Sequence, residues 1–321
     1  MNYIVMDLEW NQSAYGRAGE HPRMPFEIIE IGAVKVNEKM EIVGEFQTLI
    51  RPKVYTKLHR NIREMLNYGE EELKNGIPFK EAAKEFLSWC GTNYMFCTWG
   101  MSDVFYLQNN MDFYHMEKLP YPVKFYNVQQ IYADKYDKEH NICKLEKAVD
   151  QMRIMDVEPF HTAINDARYT ARVMKAARFG DFSEKYTVDL YRHPRKKEEQ
   201  LEFVHDGVIE FISGEYPSKQ KAMEDEDVTA MRCPKCGRKL SKKIKWFSNA
   251  QNSDIAIGRC FYHGYIQGKI KFKASGTSDD YVFAIKRISR TDRKGLEAAR
   301  QRQQELREKK RQKRSTKKNT V

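Results

Sequence analysis

Ile4-Val5-Met6-Asp7-Leu8-Glu9-Trp10 is a short apolar run that closes in acids. Side chains of a strand alternate between its two faces, so Asp7 and Glu9 project from one side at the strand's end. Carboxylates crowded in this way repel unless a cation sits between them. Mg²⁺ and Mn²⁺ suit such a place, because they prefer hard oxygen ligands and keep waters that a substrate replaces. Acidic pairs also close strands with no metal nearby, so this stretch alone leaves both readings open.

Outward from it, the pattern is that of an α/β domain. Glu27–Val36 (EIIEIGAVKV) and Glu41–Arg51 (EIVGEFQTLIR) are rich in β-branched residues and flank turn chemistry at Asn37-Glu38-Lys39. With the first run they read as a three-stranded antiparallel meander. Helical spacing follows over residues 61–90 through Ile62, Met65 and Leu66, then Phe79, Ala82, Ala83, Phe86 and Leu87, broken at Asn75-Gly76 and Pro78. A fourth strand, Tyr94–Trp99, leads through Gly100 into a helix starting near Ser102-Asp103, and residues 124–132 read as a fifth strand and its exit. Helical stretches at about 142–153 and 162–178 complete a mixed five-stranded sheet with helices packed on it.

Two further segments bear on chemistry. Trp99-Gly100-Met101-Ser102-Asp103 puts an aspartate in the first turn of a helix, and His161-Thr162-Ala163-Ile164-Asn165-Asp166 puts a histidine before a helix and an aspartate inside its start. Each has an ordinary explanation in helix capping. Their order is what matters. The series DLE, EIIEIGAV, WGxxD and HxxxxD resembles the DEDDh exonucleases of the ribonuclease-H-like superfamily, over roughly residues 1–180. Within that superfamily it is similar to bacterial exonucleases of the sporulation-inhibitor type and to eukaryotic enzymes that trim small RNAs and histone-message ends. The resemblance implies a metal-dependent 3′→5′ exonuclease that uses two Mg²⁺ or Mn²⁺ ions. By position it makes Asp7, Glu9, Asp103 and Asp166 the metal ligands and His161 the general base. A histidine suits that task because imidazole titrates near neutral pH. Glu27 and Glu30 lie on the second strand, where one of them approaches the site or both are ordinary edge charges. Between Trp10 and Phe26 the chain is too polar and broken for a strand, which suits a segment that holds a terminal nucleotide. Trp10 beside it is read as a base-stacking, substrate-binding surface or as core.

The second half has its own chemistry. Cys233-Pro234-Lys235-Cys236-Gly237 is a CPxCG knuckle, and Cys260-Phe261-Tyr262-His263-Gly264 repeats it with histidine as the fourth ligand. Twenty-three residues lie between Cys236 and Cys260, a span suited to a β-hairpin. Such a Cys₃His set fits one tetrahedral structural Zn²⁺ and a zinc-ribbon-like β domain. Around it stand Arg238, Lys239, Lys242, Lys243, Lys245, Trp246, Phe247, Arg259, Tyr262 and Tyr265. This mixture suits single-stranded nucleic acid, or is a solvated basic surface over core aromatics. Cys90, Cys97 and Cys143 are expected to be reduced core thiols.

The expected organisation is an exonuclease domain over 1–180, a charged linker over 181–230, the zinc-ribbon-like domain over 231–288 and a basic tail over 289–321. The chain of 321 residues, 41% hydrophobic, is long enough for two such domains without staples. From Lys286 onward, 15 Lys and Arg stand against 4 Asp and Glu, which accounts for the whole net charge of +11. The tail is thus read as an element that binds RNA backbone, a ribosome surface or another polyanion, or as a solubilising extension, while the rest nets zero. No apolar run reaches membrane-spanning length and the first residues do not form a signal peptide, so a cytoplasmic protein with no membrane partner is expected. Single-stranded RNA with a free 3′ end is the favoured substrate. An RNA-binding adaptor with an inactive nuclease scaffold and a DNA proofreading or repair exonuclease are the alternatives.

Overall fold

The computed structural model describes residues 1–137, 141–155, 158–178, 185–205, 207–250, 253–276 and 281–318. The chain forms two compact units, Met1–Arg192 and His193–Val321.

The first unit opens with the expected meander, β1 (Asn2–Asn11), β2 (Glu27–Val36) and β3 (Ile42–Leu49), paired antiparallel with Asp7 opposite Gly32 and Glu9 opposite Glu30. Three helices follow, α1 (Arg60–Met65), α2 (Glu70–Lys74) and α3 (Phe79–Cys90). Then β4 (Tyr94–Thr98) runs parallel to β1, α4 (Ser102–Phe113) crosses back, and β5 (Lys124–Asn127) runs parallel to β4. The unit is completed by α5 (Val128–Tyr136), α6 (Leu145–Gln151), α7 (Ala163–Ala176) and the two-residue β6 (Thr187–Val188).

Strand alternation decides the layers. Ile4, Met6 and Leu8 of β1 pack with Ala82, Ala83 and Phe86 of α3 and Val104 and Leu107 of α4. Tyr3 and Val5 face the other way, onto Ile164, Ala171 and Met174 of α7. The central strands are therefore apolar on both sides, and the sheet is sandwiched between helical layers. This is the ribonuclease-H-like arrangement, in the order β3-β2-β1-β4-β5-β6.

Two details differ from the expectation. The sheet has six strands, because β6 adds an antiparallel edge to β5 from within the stretch read as linker. Two residues are too few to show a period. The fifth strand also stops at Asn127, whose side chain accepts the Gln130 N–H and so caps α5 at once.

The second unit is a six-stranded antiparallel sheet, whose strands are β7 (Leu201–His205), β8 (Val208–Tyr216), β9 (Ser241–Ala250), β10 (Ser253–Cys260), β11 (Gly264–Ala274) and β12 (Val282–Arg290). Between β8 and β9 lie α8 (Lys219–Glu224) and α9 (Glu226–Thr229), and α10 (Arg293–Lys318) follows β12. Residues 201–205 and 208–216, read as linker, are thus part of this sheet, with Ile212 opposite Ile285 of β12. The boundary expected at 180/181 lies outside the described residues. The basic tail also begins inside the fold. Lys286 is buried in β12, with Nζ donating to the Asp227 and Ala230 carbonyls. Leu296 and Ala299 of α10 pack on Ile244, Ile255 and Ile257. Two apolar residues one helical turn apart suffice to seat the first part of a helix that is otherwise charged. Among the described residues no helix is long and apolar enough to cross a membrane.

One close approach positions everything near Asp7. A Cβ added to Gly32 would lie 2.1 Å from the backbone of Ala163 and Ile164, so α7 rests backbone-to-backbone on β2. Gly32→Val is expected to displace α7 and destabilise the first unit by at least about 1–3 kcal/mol, read as a lower denaturation midpoint. An unchanged midpoint would show that the contact is dispensable.

Candidate active site

Asp7 and Glu9 emerge from the same face of β1, as alternation requires, and the ladder shifts register just after Glu9. Across Gly32, the start of α7 brings Asp166 to them. Ligand oxygens of Asp7, Glu9 and Asp166 all lie within 4.8 Å of one another. Asp103 enters from the N-terminus of α4, where its carboxylate accepts the Leu8 N–H at 3.2 Å, between the two acids of β1. Three of the four acids of the sequence pattern thus come together, and Asp103 is joined to them through the Leu8 N–H.

Their electrostatics are unfavourable on their own. Burial, then Asp103, Glu9, Asp166 and Glu30, pushes Asp7 well above the usual carboxylate range. Glu9 rises to about 8 through burial and then Asp166, Glu30 and Asp103. Asp166 rises to about 7, chiefly from burial, although the His161 N–H holds it down in part. Asp103 rises to about 6 by burial, opposed by two backbone N–H groups. Asp166 Oδ1 is also buried with no hydrogen-bond partner among the described residues. An orphaned oxygen in a knot of carboxylates is the donor set of a hard divalent cation.

His161 is placed differently. Its backbone has φ of +66°, a left-handed value uncommon for a residue with a side chain. The ring is 43% exposed, with Nε2 3.9 Å from Glu146 Oε1 on α6. His161 reaches the acids through its backbone, while its imidazole remains accessible.

The choice between Glu27 and Glu30 is resolved by their partners. Glu27 accepts the backbone N–H groups of Lys53, Val54 and Tyr55 and anchors the chain after β3. Glu30, fully buried, belongs to the acidic site. It accepts the Tyr68 hydroxyl at 2.9 Å, Gln47 Nε2 at 2.8 Å and the Ala163 N–H at 3.3 Å. Tyr68, Gln47 and Glu146 were not legible as site residues, since each comes from a separate element. Trp10 shares the face of Ile4, Met6 and Leu8, where it is half-buried against Phe26 and Tyr106 at ring separations of 6.1 and 5.2 Å. Next to it, Gln12, Ser13, Arg17 and Phe26 line part of a cleft of 390 Å³ in the β1–β2 connection.

The second unit gathers Cys233, Cys236, Cys260 and His263, also within 4.8 Å of one another. Sγ of Cys236 and Cys260 are 3.7 Å apart, and His263 Nδ1 lies 3.4 Å from Cys233 Sγ and 3.6 Å from Cys260 Sγ. A tetrahedron with Zn–S of about 2.3 Å and Zn–N of about 2.0–2.1 Å has edges of roughly 3.5–3.8 Å. The donors therefore fit zinc in kind and spacing. Gly237 and Gly264, at φ of +67° and +78°, complete the two turns.

The raised acids carry a pH signature. A carboxyl whose folded pKa exceeds its unfolded value near 4 contributes stability that is present below that value and lost as pH climbs through the folded one. With chelator present, the melting temperature of the first unit is expected to fall between pH 4 and about 8, the range set by Asp103, Asp166 and Glu9. Mg²⁺ or Mn²⁺ is expected to reverse the fall at its alkaline end. A flat profile with chelator would contradict this account of the site.

The exonuclease family represented by RNase T matches residues 4–174. The probable 3′–5′ exonuclease KapD of Bacillus subtilis (strain 168) is 26% identical over 152 residues, 46% of this chain and 72% of that protein. Among solved structures, the nuclease domain of 3′hExo, a DEDDh family member bound to rAMP, is 21% identical, with a TM-score of 0.49, over 59% of this chain and 96% of that one. E. coli exonuclease I in complex with an oligonucleotide is 12% identical, with a TM-score of 0.44, over 80% and 54% of the two chains. Because the family match spans more than half of the 321 residues, the chain belongs to the RNase T exonuclease family.

Proposed function

We propose that the enzyme removes nucleotides one at a time from the free 3′ end of single-stranded RNA and releases nucleoside 5′-monophosphates. The observation that carries this reading is the convergence of Asp7, Glu9 and Asp166 within 4.8 Å, with a buried oxygen of Asp166 left without a partner. Asp7, Glu9, Asp103 and Asp166 would hold two Mg²⁺ or Mn²⁺ ions. When bound, such ions clamp the scissile phosphate and stabilise the attacking and leaving oxygens.

The remaining work falls to this chain's own groups. His161, with an accessible ring, takes the proton of the attacking water, and Glu146 Oε1 stands 3.9 Å from its Nε2. Glu30 holds the start of α7 and so keeps Asp166 in place. The cleft of the β1–β2 connection receives the terminal nucleotide, and Trp10 supports it from behind through Phe26, which lines the cleft. The preference for RNA rests on the resemblance to RNA-trimming enzymes and on the basic C-terminal helix, which suits RNA backbone or a ribosome surface. In the second unit, Cys233, Cys236, Cys260 and His263 hold one structural Zn²⁺.

Purified protein with 5′-labelled RNA and DNA of one sequence is expected to give a ladder shortening from the 3′ end with Mg²⁺ or Mn²⁺. The ladder should vanish with chelator and fall at least ~10³-fold in Asp7→Asn, since losing one strongly placed charge partner costs a few powers of ten in rate. Binding without a ladder would instead point to an adaptor, and faster loss of DNA to a DNA exonuclease. Elemental analysis should find one zinc per chain, lost in Cys233→Ser with a lower melting temperature for the second unit. Stoichiometric zinc retained in that variant would remove Cys233 from the ligand set.

A further inference from the structure

The aromatic residues of the second unit divide in a way their sequence does not reveal. Trp246 is turned inward, its Nε1 donating to the Thr229 carbonyl, and Phe247 packs in the cluster beneath α10. Phe261 and Tyr262, at the turn joining β10 to β11, are instead 89% and 62% exposed. The Arg238 guanidinium lies 4.8 Å from the Tyr262 ring centroid. Large exposed rings at a turn already tied by Cys260 and His263 gain nothing from the fold.

From that turn, one face of β11 continues in cations. Ile266, Gly268, Ile270 and Phe272 are buried, so Tyr265, Gln267, Lys269, Lys271 and Lys273 take the opposite face. The three lysines are exposed, and at two residues per step their Cα atoms stand about 6.8 Å apart. Arg259 pairs with Tyr265 across the hairpin, its guanidinium 5.8 Å from the ring centroid. Arg287 of β12 stands opposite Lys269. Like charges facing one another weaken a sheet, and burial together with Lys271 and Arg287 lowers the pKa of Lys269. Glu210 lies 3.6 Å from Arg287, but no carboxylate among the described residues pairs with Lys269, Lys271 or Lys273.

We infer that this face is a track for single-stranded nucleic acid, in which Phe261 and Tyr262 stack bases and Arg259, Lys269, Lys271, Lys273 and Arg287 follow the phosphates. Exposed rings leading into evenly spaced cations are the two elements that sequence-tolerant strand binding requires. An acidic peptide would use the cations and leave the rings idle. The track deepens the proposed nuclease reading by giving the substrate strand a second place of attachment on the chain.

The test uses the full chain carrying Asp7→Asn, so that a bound strand is not consumed. Fluorescence anisotropy with a labelled 20-nucleotide RNA compares it with two further variants on that background. One adds Lys269→Gln, Lys271→Gln and Arg287→Gln, and the other adds Phe261→Ala and Tyr262→Ala. The charge variant is expected to bind at least tenfold more weakly, with the slope of log K against log salt reduced in magnitude by about 2, at roughly 0.7 per phosphate contact. The ring variant should bind roughly tenfold more weakly with the slope unchanged. Zinc content and melting temperature should be preserved in both. Unchanged affinity and slope in the charge variant would overturn the track, as would equal displacement of the RNA by an acidic peptide of the same charge. Cleavage of a trinucleotide by the chain with Asp7 intact is read separately. Its absence would sink the nuclease reading while leaving the binding result to decide the track.

Discussion

Backbone rests on backbone where α7 crosses the first sheet, and the acidic site depends on that contact. Gly32 has no side chain to hold the helix away, and Glu30, two residues earlier, takes the Ala163 N–H at the helix start. The first N–H groups of a helix lack partners within it, so a buried carboxylate is a natural anchor for them. Tyr68 and Gln47 bind the same carboxylate, which ties the start of α7 to β3 and to the segment before α2. Asp166 then has nowhere to stand but beside Asp7 and Glu9. Four carboxylates are held together against their mutual repulsion by packing made elsewhere. Burial is the first cause of the raised values at Glu9, Asp103 and Asp166, and the neighbouring acids add to it at Glu9 and Asp166. Strain of this kind persists where the surrounding structure over-determines it, and it concentrates at functional sites.

The second unit uses its sheet more sparingly. One face of β11 is closed over by Phe211, Ala222, Val228 and their neighbours. On the other face, α10 covers Ile255 and Ile257 of β10 with Leu296 and Ala299, and the lysines of β11 stay in water. Cys233, Cys236, Cys260 and His263 gather from two turns at one end of this sheet, where a small domain gains most from a metal. The positive charge that composition assigns to the C-terminal stretch is accordingly divided. Lys286 serves the interior, Arg287 the open face, Arg290 the exposed end of β12, and the remainder lies on α10.

Residues whose partners are near in sequence were legible from it, and residues whose partners are distant were not. Asp7 and Glu9 share a face because strands alternate, and the two knuckles show by spacing alone which cysteines and histidine come together. Glu27 and Glu30 look alike along the chain. They part only because Ala163 N–H waits at one and the Lys53–Tyr55 backbone at the other. Trp246 and Phe247 sit among lysines in sequence, yet they take opposite faces of β9 and both faces are covered, one by α10 and the other around Met231 and Ile270. Residues 201–216 read as linker because their apolar run is short, and a short run becomes a strand only when β12 pairs with it.

The sequence by itself determined the α/β class, the meander, the order of the acidic motifs and the grouping of three cysteines with a histidine, because each follows from local period or spacing. Only the tertiary structure decided which glutamate joins the acids, where the His161 ring stands, how far the second sheet extends and which rings remain exposed. Those outcomes rest on contacts between segments as much as 133 residues apart, as between Glu30 and Ala163. No local pattern encodes such a contact, because its free energy is realised only once both segments are in place.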